Sequence, residues 1–249
     1  MQQASYYDPR QEFSYRVNSL KPFLIGVAAL LILLFVGLWL MPEQSTPLIA
    51  KVMSLLCPTL VAAASGAYLG RNLVGWGWRI GLLAGTIVGM IIVMLFSGSL
   101  IAVPLLFGWG IVAGMMLGPF VSMAMAEAGP QIVFQALTGT TAVMMLTGLI
   151  VFATGINFSF LMPFLFIGLM GLIVVGLIRI FFRFSRTANL AYSIIGMVIF
   201  AGYFLYDFFR ANRSANTWQN AISLTISLYL DFANFFIYLL QVLMQTRRR

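Results

Sequence analysis

The sequence predicts an all-α bundle of membrane-spanning helices, and three observations carry that reading. The 249 residues are 61% hydrophobic and 8% charged, whereas a soluble domain is about 45–50% apolar and about 25% charged. The mean hydropathy is +1.00, so the chain needs lipid as its solvent. Its apolar stretches have the roughly 20-residue length a helix needs to cross about 30 Å of hydrocarbon. They lack the period-two alternation over about 10 residues that a closed barrel would show.

The elements follow in order. Residues 1–21 form a polar tail holding Asp8, Glu12, Arg10, Arg16 and Lys21. It has no apolar region behind a basic start and is too acidic for a transit peptide, so it is read as a tail and not a targeting segment. An integral-membrane domain over 22–246 comes next. Its apolar stretches run at 23–41, 48–70, 79–97, 100–126, 131–153, 158–182, 187–209 and 219–244, about eight spans. Only Ser97, Gly98 and Ser99 separate the third from the fourth. They make either a tight hairpin or one broken segment, and the second case gives seven spans. Trp39, Trp76 and Trp78 near span ends are read as interfacial belt residues. Residues 247–249 are a basic end.

Composition removes whole classes of chemistry. With no histidine and Cys57 as the lone cysteine, the chain offers no Cys/His zinc site, His-ligated haem, Ser-His or Cys-His pair, or internal disulfide. No phosphate-cradling glycine loop, redox motif or basic helix interleaved with aromatics is present. The expectation is a non-enzyme with no cofactor and no nucleic-acid partner. The net charge of +8, from 14 Lys/Arg against 6 Asp/Glu, is read as a mark of cytoplasmic loops. With eight spans and a cytoplasmic tail, Arg10, Arg16, Lys21, Arg71, Arg79, Arg179, Arg183, Arg186, Arg247, Arg248 and Arg249 lie inside, and Lys51, Arg210 and Arg213 outside. Charge thus favours both termini inside.

Glycines recur every four residues at Gly81, Gly85 and Gly89 and at Gly110, Gly114 and Gly118, and Gly66 pairs with Gly70. Such spacing puts small residues on one helix face and lets backbones approach closely, a packing role in the first instance.

Charges at depth are the informative residues, because an ionised Asp at a helix centre costs about 2.5–3.5 kcal/mol on insertion scales. Two acids qualify: Asp207 in YFLYDFFR and Asp231 in ISLYLDFANFFIYLLQVL. They lie 24 residues apart, so an antiparallel hairpin centred on Gln219 sets them side by side, whereas a turn at Asn212 separates them. Two carboxyls held together in low dielectric share a proton and titrate as a coupled pair. Each also has a plainer reading. Asp207 stands one turn from Arg210 and can pair with it, and Tyr229 and Asn234 can satisfy Asp231. Arg71 and Arg79 are candidate clamps on the carboxyls, or else only markers of the inside.

At these residues the chain resembles a known family. ISLYLDFANFFIYLL, preceded by YFLYD, is similar to the C-terminal signature of the Bax inhibitor-1 family (transmembrane BAX inhibitor motif proteins). GMMLGPF (114–120) and QALTGTTAVMMLTGL (135–149) resemble its middle helices. The resemblance covers about residues 100–245. It implies a bundle of six to eight helices that leaks Ca2+ in a pH-dependent way. Asp207 and Asp231 would be the proton-sensitive element and transient Ca2+ ligands, held by a latch to a basic side chain. Bacterial relatives include modulators of a membrane-anchored AAA protease, and eukaryotic ones suppress cell death. This chain departs from the pattern in Phe208 and Phe209 after the first Asp, in Gln241, and in Ala233; its N-terminal spans look additional. The family topology places the loop between the aspartates in the cytoplasm, opposite to the charge count, so orientation stays open.

The leading expectation is therefore an acid-regulated Ca2+ leak whose partners are the bilayer, Ca2+ and protons, in a bacterial inner membrane. A membrane interaction protein acting on an AAA protease or a stress pathway is the alternative. An intramembrane aspartyl protease fits less well, because Tyr229 and Leu230, with no glycine, precede Asp231.

Overall fold

The structure is a computed structural model that describes residues 36–37, 46–99 and 101–247. The polar tail, the 23–41 span except for two residues, and Trp39 lie outside the described residues. Among the described residues, seven helices long and apolar enough to cross a membrane follow one another: α1 Leu48–Gly70, α2 Trp76–Leu95, α3 Ala102–Ala128, α4 Pro130–Thr154, α5 Leu161–Phe181, α6 Arg186–Arg213 and α7 Trp218–Arg247. A 3-10 turn, Phe158–Phe160, leads into α5. Among the described residues there is no strand, as expected where the backbone must satisfy itself in lipid.

The stretch between the third and fourth predicted spans is a tight turn and not a break. Ser97 donates its hydroxyl to the Met94 carbonyl (2.7 Å), and the Ser99 amide donates to Phe96 (2.8 Å). The indole N–H of Trp109 then ties α3 back to the Thr86 carbonyl of α2 (2.9 Å). Two later turns need glycine. Gly129 (φ +79°) joins α3 to Pro130 at the start of α4, and Gly155 (φ +63°) ends α4. Proline suits a first helical turn, and glycine alone enters the left-handed region freely.

α7 is the axis of the bundle and packs against α1, α3, α4 and α6, while α2 and α5 stand at the periphery with mostly exposed apolar faces. The closest seam joins α1 to α3, which run parallel. A Cβ on Gly66 would fall on the carbonyl oxygen of Ile111, one on Gly70 on that of Met115, and one on Gly114 on that of Ala63. Gly118 abuts Ala67 and Gly70, and Gly110 abuts Thr59. Each helix thus supplies the bare backbone that the other touches. The α2 glycines differ: Gly89 lies against Trp109 and Gly85 against Val112, but nothing lies within 4 Å of Gly81. Among the described residues, the packing face expected on α2 therefore stops short of Gly81.

Because consecutive spans alternate in direction, one end of the bundle gathers Arg71, Arg79, Arg179, Arg183, Arg186 and Arg247, and the other carries Lys51, Arg210 and Arg213. Lys51 is not a loop charge. It is fully buried in the first turn of α1, with its ammonium 5.1 Å from the centre of the Trp218 ring, a favourable cation–π distance.

Candidate functional site

The site is built on the α6–α7 hairpin, whose register is set by a run of contacts down both helices. The Arg186 guanidinium donates to the Gln245 carbonyl, Ser193 donates to Gln241 Oε1 (2.9 Å), and Tyr238 lies over Gly196 and stacks on Phe200. Phe204 meets Phe235 with ring centres 5.9 Å apart. Phe200 with Tyr238 and Asp207 with Asp231 are both symmetric about Gln219, so the hairpin has the register that brings the acids together. The connection itself is short, Ser214 to Thr217, and α7 begins at Trp218.

Both carboxyls are withdrawn from solvent, Asp207 to 3% exposure and Asp231 to 6%. They face each other across the α6–α7 interface, near enough for each to feel the other's charge, and a hydrogen bond between two carboxyls needs a proton on one of them. On the other side, Arg210 donates from Nη1 to Asp207 Oδ1 at 2.9 Å. The ion pair with Arg210 that the i,i+3 spacing offers is thus formed. Ser227, one turn before Asp231 on the same face of α7, is a further polar neighbour of Asp207. Sequence reasoning missed Ser227, although its i,i+4 spacing from Asp231 was the available signal.

The polar neighbours proposed for Asp231 do not serve it. Asn234 donates its amide to the Leu230 carbonyl (2.7 Å), closing on its own helix. Tyr229 points away from α6 and packs edge-on against Trp109 of α3, with ring centres 5.0 Å apart. Its hydroxyl and Asp231 Oδ2 are buried and have no hydrogen-bond partner among the described residues.

The basic candidates stand elsewhere. Arg71 caps the far end of α1 with its guanidinium over the Tyr68 ring (4.0 Å), and Arg79 lies in the first turn of α2. The cation set against Asp207 is Arg210. Since Arg210 shares a helix with Asp207, the polar groups that face Asp207 from α7 at this level are Asp231 and Ser227. No group of three or more His, Cys, Asp or Glu side chains suited to hold a metal occurs among the described residues. Two carboxyls are well short of the six to eight oxygens Ca2+ prefers, so a cation here would need backbone carbonyls and water as well.

Comparison with known proteins decides the family. The family model described as inhibitor of apoptosis-promoting Bax1 matches residues 45–248, taking in every helix described above and both aspartates. The chain belongs to this family. An "uncharacterized protein" of Campylobacter jejuni is 30% identical over 210 residues, covering 78% of this chain and 87% of that one. An "uncharacterized membrane protein" of Vibrio cholerae is 39% identical over 131 residues, 52% of this chain and 57% of its own length. "Protein LIFEGUARD 3" of Arabidopsis thaliana is 40% identical over 94 residues, 38% of each chain. The family match begins 55 residues earlier than the resemblance read from the sequence. The helices α1 and α2, which looked additional, are part of the shared core. The protein is accordingly a multi-pass integral membrane protein of the Bax inhibitor-1 family.

Proposed function

We propose that this protein is a pH-sensitive Ca2+ leak of the bacterial inner membrane, regulated by Asp207 and Asp231 acting as one titrating unit. The observation that carries the reading is the pair itself. Two acids that lipid makes expensive meet face to face between the last two helices, with one guanidinium beside them. A structural bridge could be made from uncharged side chains at less cost, so the use of two carboxyls favours a group that changes charge.

The mechanism follows from counting charges. With a shared proton, the pair and Arg210 together are neutral and α6 and α7 are linked. Removing the proton leaves two anions facing each other in low dielectric, where like charges repel strongly. Adding a second proton removes the charge that Arg210 answers. Each change alters the α6–α7 contact and the attraction for a cation together, the property of a bistable element. The sparse oxygen set suits passage of Ca2+ and not storage.

The test is Ca2+ flux into proteoliposomes between about pH 5 and 8, where coupled carboxyls buried in apolar surroundings can titrate. Wild type should show flux that varies with pH, and Asp231→Asn should abolish the variation while the protein stays folded. Absence of flux at every pH would turn attention to the second reading, a membrane interaction protein acting on an AAA protease.

A further inference from the structure

A second site lies away from the carboxyl pair. α1 and α4 make no contact with each other among the described residues. Between them opens a cavity of about 770 Å³, walled behind by α3 and α7. That volume is in the range of about 300–1,000 Å³ typical of small-molecule sites, which are largely apolar with a few placed polar groups.

Its dimensions and charge point to one kind of occupant. The α1 wall runs from Leu60 to Arg71, about 16 Å at about 1.5 Å per residue. One leaflet of a bilayer whose hydrocarbon is about 30 Å thick has nearly the same depth. The floor is Tyr229, and the sides are apolar, with Tyr68 and Leu137 each 41% exposed at the lateral opening. At the outer end stands Arg71, held over the Tyr68 ring at the end of the bundle that also carries Arg79, Arg179, Arg183, Arg186 and Arg247. An apolar slot one leaflet deep, open sideways to lipid and topped by a guanidinium, is complementary to an acyl chain with a phosphate at its head.

We propose that the cavity between α1 and α4 binds one acyl chain of an anionic phospholipid from the surrounding leaflet, with the phosphate held by Arg71. The lipid fills the gap that the helices leave and ties α1 to α4. This site is independent of the carboxyl pair, so its failure would leave the leak reading untouched.

Native mass spectrometry of the full-length protein, delipidated and then exchanged against equal phosphatidylglycerol and phosphatidylcholine, tests this directly. Wild type should retain about one phosphatidylglycerol per chain under conditions that strip annular lipid. Ala64→Trp, which fills the slot from the α1 wall, and Arg71→Ala should each reduce retention at least tenfold, with Arg71→Lys in between. Thermal stability in detergent, measured with and without added phosphatidylglycerol, reports folding of each variant; the lipid should raise the Tm of wild type and not that of Arg71→Ala. Equal retention of both lipids by wild type, or undiminished retention by folded Ala64→Trp, would overturn the proposal.

Discussion

The α1–α3 seam and the α6–α7 hairpin are both close helix pairs, yet opposite chemistry makes them close. The first brings backbones together by removing side chains, with Gly66, Gly70, Gly114 and Gly118 each lying against the partner's main chain. The second is polar at its centre, where the buried Asp207 and Asp231 face each other and Arg210 pairs with Asp207. In a membrane, where lipid tails compete equally for any apolar face, van der Waals fit holds the first kind of pair. The second places ionisable groups where they are costly, which is how a protein builds a response and not only a scaffold. Mutations at the seam should therefore change folding, and mutations at the hairpin should change how the protein answers pH.

The largest effect that sharpens this contrast is expected at the seam. Gly114→Leu must displace the Ala63 backbone, so the cost lies at or beyond the upper end of the about 1–3 kcal/mol typical of overpacking. Loss of the monodisperse peak in detergent size-exclusion chromatography would report it. Gly81→Leu, with nothing within 4 Å of the position, should elute as wild type does. Equal damage from both would break the distinction between a packed and an open glycine face.

A smaller change is expected at Tyr229, which lies between the two regions. Its hydroxyl is buried without a partner, so Tyr229→Phe relieves a desolvation cost and should stabilise by about 1 kcal/mol, seen as a raised Tm with the pH response of flux intact. A fall in Tm would mean that the hydroxyl is satisfied in the working protein.

The smallest stability effect belongs to Arg210→Gln. Its side chain is 37% exposed and solvent screens the ion pair, so the loss should be about 0.5 kcal/mol. Its effect on function should nonetheless be visible, as a displaced pH profile of Ca2+ flux, because the guanidinium is the charge that answers Asp207.

Much of this architecture was readable in the chain, for reasons that differ from element to element. The facing of Asp207 and Asp231 follows from their spacing once the register of the hairpin is fixed, and the sequence leaves that register open between a turn at Gln219 and one at Asn212. The i,i+3 pairing with Arg210 is local. The seam glycines showed a small face by their period, but a period does not say what stands opposite. Gly81 therefore looked the same as Gly85 and Gly89, although only the latter two meet α3. Lys51 counts among the outside charges because it sits at the edge of the 48–70 stretch, while the ring that covers it, Trp218, comes from the last helix. The cavity between α1 and α4 had no signal, since it arises from two helices that fail to touch. The basic partner sought in Arg71 and Arg79 illustrates the limit of charge reasoning: both stand at the other end of the bundle, and the guanidinium beside Asp207 is that of Arg210.

The most direct test of the carboxyl pair as a single unit is a double-mutant cycle on the pH dependence of Ca2+ flux, using Asp207→Asn, Asp231→Asn and the two combined. Residues that act as one are strongly non-additive. Both single variants and the double should give the same flat profile across about pH 5 to 8. Two single variants that each keep part of the pH response, with effects that add in the double, would contradict the account and make the aspartates separate groups.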